Sequence, residues 1–232
     1  MKKYELTTET LQFAGRTLHR IKAVKDFGSI KAGEFGGYIE NEKNLSQDDN
    51  AWIYGEAMAI GNARVFGNAK ILGNAHIFGN AKVFDDARVY DDAIVHNNAI
   101  VHNNARIYGN AIVYDNAIVS DYAEVCENAK VCDDADVYGL TRIFGNAKIF
   151  GNATIKGNAK VHDDIDYIVF KNFWSSGRYF TWTRSNNKWS VGCFYGTGEE
   201  LIKKAYADSV KSGREYERVV RYVESILADE RK

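Results

Sequence analysis

Residues 61–108 read GNARVF GNAKIL GNAHIF GNAKVF DDARVY DDAIVH NNAIVH NNARIY, eight hexads without an insertion. The register runs on in both directions. Ala recurs at every sixth position from Ala51 to Ala159, except at Thr141, and an aliphatic residue follows each by two places, from Ile53 to Val161. Only Ala59 in that aliphatic series is smaller than Val. The count is nineteen repeats. A period this short and strict fixes the architecture before function can be discussed.

In the hexad Ala69-Lys70-Ile71-Leu72-Gly73-Asn74, Ala69 and Ile71 are two apart and share a face of an extended chain, while Lys70 and Leu72 point the other way. Gly73-Asn74 makes a corner, since Gly, Asn and Asp tolerate the left-handed backbone of sharp bends. A helix is excluded, because period six does not return to one helical face and Gly-Asn pairs would break it in every repeat. One small and one β-branched residue therefore face a narrow, dry interior.

This pattern resembles the hexapeptide repeat of left-handed parallel β-helices. The resemblance implies three hexads per triangular turn, so residues 18 apart stack. Over residues 51–162 it implies about six turns and a prism of roughly 30 Å. The lead-in IKAVKDFGSIKAGEFGGYIENEKNLSQDDNAWIYGEA (residues 21–57) is similar to the N-terminal segment of uncharacterised phage and prophage hexapeptide-repeat proteins. That resemblance implies a lead-in turn, names no substrate, and makes interference with a host process, such as a defence system, an expected role.

The ends of such a prism need covers. Residues 1–50 are expected to form a hairpin around Ala14-Gly15-Arg16, with alternating strands at Thr10–Phe13 and Leu18–Val24, followed by a lead-in cap. Residues 163–232 read as a small α+β module. Its strands are expected at Tyr167–Phe170, Arg178–Thr183 and Lys188–Val191, with a turn at Ser185-Asn186-Asn187. Two helices follow, with capping boxes at Thr197/Glu200 and Ser212/Glu215. Tyr216, Val219, Val220, Val223 and Ile226 trace the apolar face of the second. The run GRYFTWTRSNNKWSVGCFYGTGEEL resembles a C-terminal module of phage-type hexapeptide proteins, with no activity implied.

The 232-residue chain has a net charge of −1, which gives neither a nucleic-acid footprint nor a membrane-attracting face. No stretch approaches a membrane span, and the start MKKYELTTETLQF is too polar for a secretory signal, so a cytosolic location is expected. Cys126, Cys132 and Cys193 fit no zinc spacing and read as reduced thiols. Pro is absent. Continuous strand pairing favours that within the repeat.

Three chemistries can be weighed. The β-helix family includes acyltransferases, which extend a loop carrying a His base from a corner to wall a coenzyme A cleft. Residues 51–162 contain no such insertion, although His76, His96, His102 and His162 stand on or near the outer surface and suit a general base. γ-Class carbonic anhydrases use the fold with three His on zinc. His76 and His96 are two residues out of register on one side and His102 is on the next, too far apart for one ion. Ice binding would need outward ladders of Thr, which are missing. No metal and no cofactor is therefore expected.

The outward residue before each aliphatic position differs between the three sides. One side carries Trp52, Lys70, Arg88, Arg106, Glu124, Arg142 and Lys160, a solvated face. A second stacks Ile94 on Ile112, and the third stacks Ile100 on Ile118, around one shared edge. His96, His102 and Tyr114 flank them. A clustered apolar set usually marks an interface; the alternative is that β-propensity alone placed Ile there. The candidate patch is thus Ile94, His96, Ile100, His102, Ile112, Tyr114 and Ile118. A second copy, in a trimer or dimer, is the first candidate partner and a host protein the second. The expected function is a non-enzymatic oligomeric or protein-binding scaffold; the competing class is a coenzyme A-dependent acyltransferase.

Overall fold

The computed structural model describes residues 2–230. It is mainly β: a parallel β-solenoid with a hairpin at one end and a sheet-and-helix module at the other. The hairpin pairs β1 (Tyr4–Phe13) with β2 (Arg16–Ala23). Its two-residue turn places Ala14 and Gly15 at φ 50° and 74°, as such turns require. Strand β3 (Phe35–Ile39) pairs antiparallel with β2 and parallel with the first solenoid strand of its side. Nineteen two-residue strands follow, β4 (Trp52–Ile53) to β22 (Lys160–Val161), one per hexad. They sort by threes into three parallel sheets in which residues 18 apart pair.

Each side has seven rungs. The first face begins with β3 and continues with six hexad strands. The second begins with the Leu45↔Val65 bridge and continues with six. The third has β4 and six more. The stack therefore starts one turn before the repeat becomes regular, giving about seven turns rather than six. That first turn pairs Tyr38 with Met58, 20 residues on, because Leu45 to Ile53 holds two residues more than a hexad. Gly36 and Gly37 are needed there. A Cβ on Gly37 would lie 2.3 Å from the Ala57 carbonyl oxygen, and one on Gly36 would lie 2.6 Å from that of Ile53.

The interior is the Ala and aliphatic series. Ala57, Ile71, Val83 and Val101 are fully buried, and Val65 is 1% exposed. Backbone N–H groups of one turn donate to carbonyls of the next, as in Lys70 N to Ala87 O and Leu72 N to Val89 O. The first corner residue adopts the left-handed conformation, and its N–H does not join that ladder. A carboxylate one turn earlier takes it instead: Asp49 accepts from Gly67 N, Asp91 from Gly109 N, Glu127 from Gly145 N and Asp133 from Gly151 N, at 2.6–3.1 Å. This accounts for acids at corners where turn propensity alone would be content with Gly or Asn, Glu127 above all, at φ 59°.

The two ends solve opposite problems. At the start, carbonyls lack donors. The Tyr4 hydroxyl donates to Leu45 O at 2.8 Å, and the buried Lys3 ammonium donates to Ala51 O and Asp49 O, each at 2.8 Å. Burial holds the Lys3 pKa below its ordinary value, against the pull of Asp49. Asn44 Nδ2 donates to Gly61 O and Ala63 O. At the far end, N–H groups lack acceptors. Lys148 N donates to Asp164 Oδ1 at 2.7 Å, Thr154 N to Thr181 Oγ1 at 3.0 Å and Lys160 N to Ser185 Oγ at 2.7 Å. That is one side-chain acceptor for each face.

These acceptors come from the C-terminal module, an antiparallel sheet of β23 (Tyr167–Lys171), β24 (Tyr179–Thr183), β25 (Lys188–Val191) and β26 (Phe194–Gly196). Helix α1 (Gly198–Asp208) starts at the Thr197/Glu200 capping box. Helix α2 (Val210–Asp229) is capped by Ser209, one turn before the expected Ser212. The reason is packing: Gly213 must already be helical to sit against the Tyr206 ring. Phe180, Trp182, Trp189, Tyr216, Val220 and Val223 form the module's own core. Among the described residues no helix is long and apolar enough to cross a membrane.

Replacing Thr181 by Val keeps its shape but removes the acceptor for Thr154 N. An unpaired buried N–H costs about 1–3 kcal/mol. Denaturant unfolding should show that loss with an unchanged slope, and hydrogen exchange should speed up at the Thr154 amide.

Candidate functional site

The four isoleucines meet where the sequence placed them. Ile94 pairs in register with Ile112 on the first face, and Ile100 with Ile118 on the second. All four are half-buried. The corner between them carries an amide ladder, Asn62 to Asn80 to Asn98 to Asn116 to Asp134, with bonds of 3.0–3.1 Å. Asn97 Nδ2 donates to Asp115 Oδ1 at 2.7 Å. The edge is thus a polar ridge with apolar flanks.

His96, His102 and Tyr114 are not isolated beside this patch. They occupy the position after the aliphatic residue, where rings 18 apart stack. His96 lies between Phe78 and Tyr114, with centroids 4.7 and 5.2 Å away and planes within 11°. His102 stacks on Phe84 at 5.0 Å, and Phe84 on Phe66 at 4.7 Å. Tyr90 and Tyr108 stack on the third face. Phe144 and Phe150, at the same position on later turns, meet His162 and Tyr167 edge-on. The buried thiols Cys126 and Cys132 stand between them and the tyrosines, so the ring stack ends there.

The electrostatics follow from these columns. The bond to Cys132, with burial, pushes the Tyr114 phenol up to about 12. His96 Nδ1 lies 3.1 Å from Asn97 Oδ1, and His102 Nδ1 lies 3.8 Å from Asp85 Oδ2. His162, on the last rung, holds Asp163 at 2.5 Å, and its pKa is raised by that carboxylate. No group of three or more His, Cys, Asp or Glu side chains among the described residues could hold a metal ion.

His76 has a neighbour that sequence reading missed. Phe13, at the hairpin end, meets its ring edge-on at 5.2 Å. The hairpin folds down beside the first face, burying Leu18, Tyr38, Met58 and Ile60 together. Beneath it is an apolar hollow of about 490 Å³ whose lining includes Phe13, Ile60 and Phe78. The clue in the sequence was Met58-Ala59-Ile60, the only hexad with an apolar residue at both outward positions that also has an Ala between them. Where the hairpin would land could not be read.

A family model for the YdcK β-solenoid repeat matches residues 87–103 and 105–121, which contain the whole isoleucine patch. Over 64 residues the chain is 36% identical to a protein of Escherichia coli (strain K12) named "Uncharacterized acetyltransferase YdcK". The match takes in 24% of this chain and 20% of that protein, so the chain spans about a fifth of that relative's length. The repeats and their parallel stacking support a hexapeptide-type β-helix family.

Burial lowers the His76 pKa below its ordinary value of 6.5. Its protonation is therefore disfavoured in the folded chain. Below about pH 6.5 the unfolded state binds more protons, and stability falls as pH drops towards the depressed folded pKa. His76→Gln should flatten that slope. Melting temperatures of parent and variant between about pH 7.5 and 5 check it.

Proposed function

We propose that the chain is a self-assembling, protein-binding scaffold of the cytosol that works without turning over a substrate, and that copies meet through Ile94, Ile100, Ile112 and Ile118. One observation carries the reading. Four partly exposed isoleucines pair in register on two faces about one edge, while the rungs on either side hold His76, Lys82, Lys130 and Asp136. Coil stacking already pairs the backbone there, so only side chains remain to be covered. Full burial of an Ile is worth roughly 1.5–3 kcal/mol, and these keep about a third of their surface open at most, so each adds no more than about 0.5–1 kcal/mol. Four per chain, counted on both copies, give on the order of 4–8 kcal/mol at most, against a rigid-body cost of roughly 4–15 kcal/mol. The contact is accordingly expected to depend on concentration. A host protein is the second partner we propose, in line with the phage-type resemblance of the lead-in.

A second reading, a coenzyme A-dependent acyltransferase with His96 or His102 as base, is favoured by the name of the matched relative. Against it stands the regularity of the prism. Every corner from Gly55 to Asn158 is two residues long, so no corner of the prism extends a loop that could wall a cofactor cleft.

Replacing Ile100 and Ile112 by Lys should give a folded monomer, since the charges resist desolvation but are harmless in water. Light scattering across micromolar concentrations reads the result. A parent already monomeric at high micromolar concentration refutes self-association. Calorimetric binding of acetyl-coenzyme A that disappears in His96→Ala or His102→Ala would establish the enzyme reading instead.

A further inference from the structure

We infer that the third face of the prism is a separate docking surface, and that it takes an acidic protein segment bearing an apolar side chain. The inference rests on the protein-binding part of the function proposed above, but it uses none of the isoleucine edge.

The face carries Lys70, Arg88, Arg106, Glu124, Arg142 and Lys160 on successive rungs, each in register with the next. Five cations and one carboxylate thus lie along roughly 24 Å, five strand spacings of about 4.8 Å. Like charges directly opposite on neighbouring strands are destabilising. The fold does not require an unbroken row, because on the other faces the same position also holds Met, Ile, His, Thr or Asp, and cations come there only in pairs, Arg64 with Lys82 and Lys130 with Lys148. Glu124 answers Arg106 at 3.5 Å, and Glu127 reaches Arg142 at 4.0 Å. Among the described residues, Lys70, Arg88 and Lys160 make no ion pair. The corner acids alongside keep their charges, but among the described residues Glu127 alone of them comes within ion-pair distance of the row. Asp85, Asp91, Asp121 and Glu127 are each turned along the prism axis onto a backbone N–H of the next turn.

A second, independent irregularity borders the same face. Along the edge between the second and third faces, the position after the left-handed residue is Asn or Asp in five of its seven turns. In two adjacent turns it is Tyr122 and Leu140, which are 61% and 69% exposed. They leave their corner without the amide bonds that run down the isoleucine edge. Next to Leu140 is Thr141, the one departure from Ala in the inner series, with a buried hydroxyl that has no partner. The repeat is thus least regular beside its most basic face. On the opposite border, Leu72, Gly73, Arg88, Tyr90, Asp91 and Arg106 line an open groove of about 410 Å³, in which Asp91 is engaged by the Gly109 N–H.

The occupant follows from this chemistry. A row of cations calls for carboxylates or phosphates, and the exposed Tyr122 and Leu140 call for an apolar group beside them. The tyrosines of this face do not offer a platform for bases, because Tyr90 and Tyr108 are stacked on each other within 2° and present their edges. A polypeptide with acidic and aliphatic side chains supplies both kinds of contact; a nucleic-acid backbone supplies only one.

The test uses the full chain and fluorescence anisotropy with three labelled probes: a peptide of four Glu-Glu-Leu-Glu repeats, the same peptide with Ser for Leu, and a duplex DNA of about 24 base pairs. The Leu peptide should bind, and should weaken as salt is raised. Lys70→Glu with Arg88→Glu breaks no ion pair and should weaken it about tenfold or more. Tyr122→Ser with Leu140→Ser should weaken the Leu peptide several-fold and leave the Ser peptide unchanged. Should the charge reversal fail to fold, Lys70→Gln with Arg88→Gln should give a smaller loss in the same direction. The inference is overturned if no peptide binds at high micromolar concentration, if the reversal leaves affinity unchanged, or if the duplex binds more tightly than the peptide. It is also overturned if the reversal dissociates an oligomer, which would make this face the contact between copies. The isoleucine variants change oligomeric state and not peptide affinity, so the two readings fail separately.

Discussion

Every hexad strand in the prism is two residues long, and what holds such strands is the ladder from the N–H groups of one turn to the carbonyls of the next. No single rung could stand alone. The stack must therefore start and stop cleanly, and its two ends differ chemically: one presents bare carbonyls, the other bare N–H groups. The chain meets the first with donors, Lys3 and Tyr4, and the second with acceptors, Asp164, Thr181 and Ser185. The same pairing requirement explains the acids at corners, which take the left-handed N–H that the ladder omits. Covering both ends also removes the open strand edges that would otherwise template aggregation.

Because the ladder and the inner Ala-aliphatic pair fix the fold, the outward positions are released from structural duty. There the chain departs from uniformity in three ways. It clusters isoleucine at one edge, aligns cations on one face and covers the start of the first face with a hairpin. A rigid prism converts a sequence offset of 18 into a spatial neighbour at about 4.8 Å, so residues scattered over 90 positions become one surface. Such a surface suits recognition by extended partners better than it suits chemistry, which needs a walled cleft. The matched repeats at 87–121 lie across this middle stretch.

Stacking also changes what the histidines can do. His96 and His102 carry the side chain best suited to acid-base work near neutrality, yet each is a member of an aromatic column. A ring with stacked partners keeps only its edge for hydrogen bonding. His76 loses freedom differently, by burial against Phe13. The three residues that look most reactive in the sequence are thus each held by neighbours that sequence distance hides.

Much was legible in the sequence because the period of six is local. Ala and Ile two apart must share a face, and Gly-Asn must turn, so the strands, the corners, the inner series and the in-register pairs Ile94/Ile112 and Ile100/Ile118 all followed. The turn count was one short, since the lead-in turn built on Tyr38 and Leu45 stacks without obeying the period. The start of α2 at Ser209, the return of the hairpin onto His76 and the end of the ring ladders at Cys126 and Cys132 were not legible either. Each depends on a contact between residues whose separation no repeat sets: Gly213 with Tyr206, Phe13 with His76, and Phe150 with Tyr167. Local periodicity determined the scaffold; long-range packing alone decided which of its surfaces remained open.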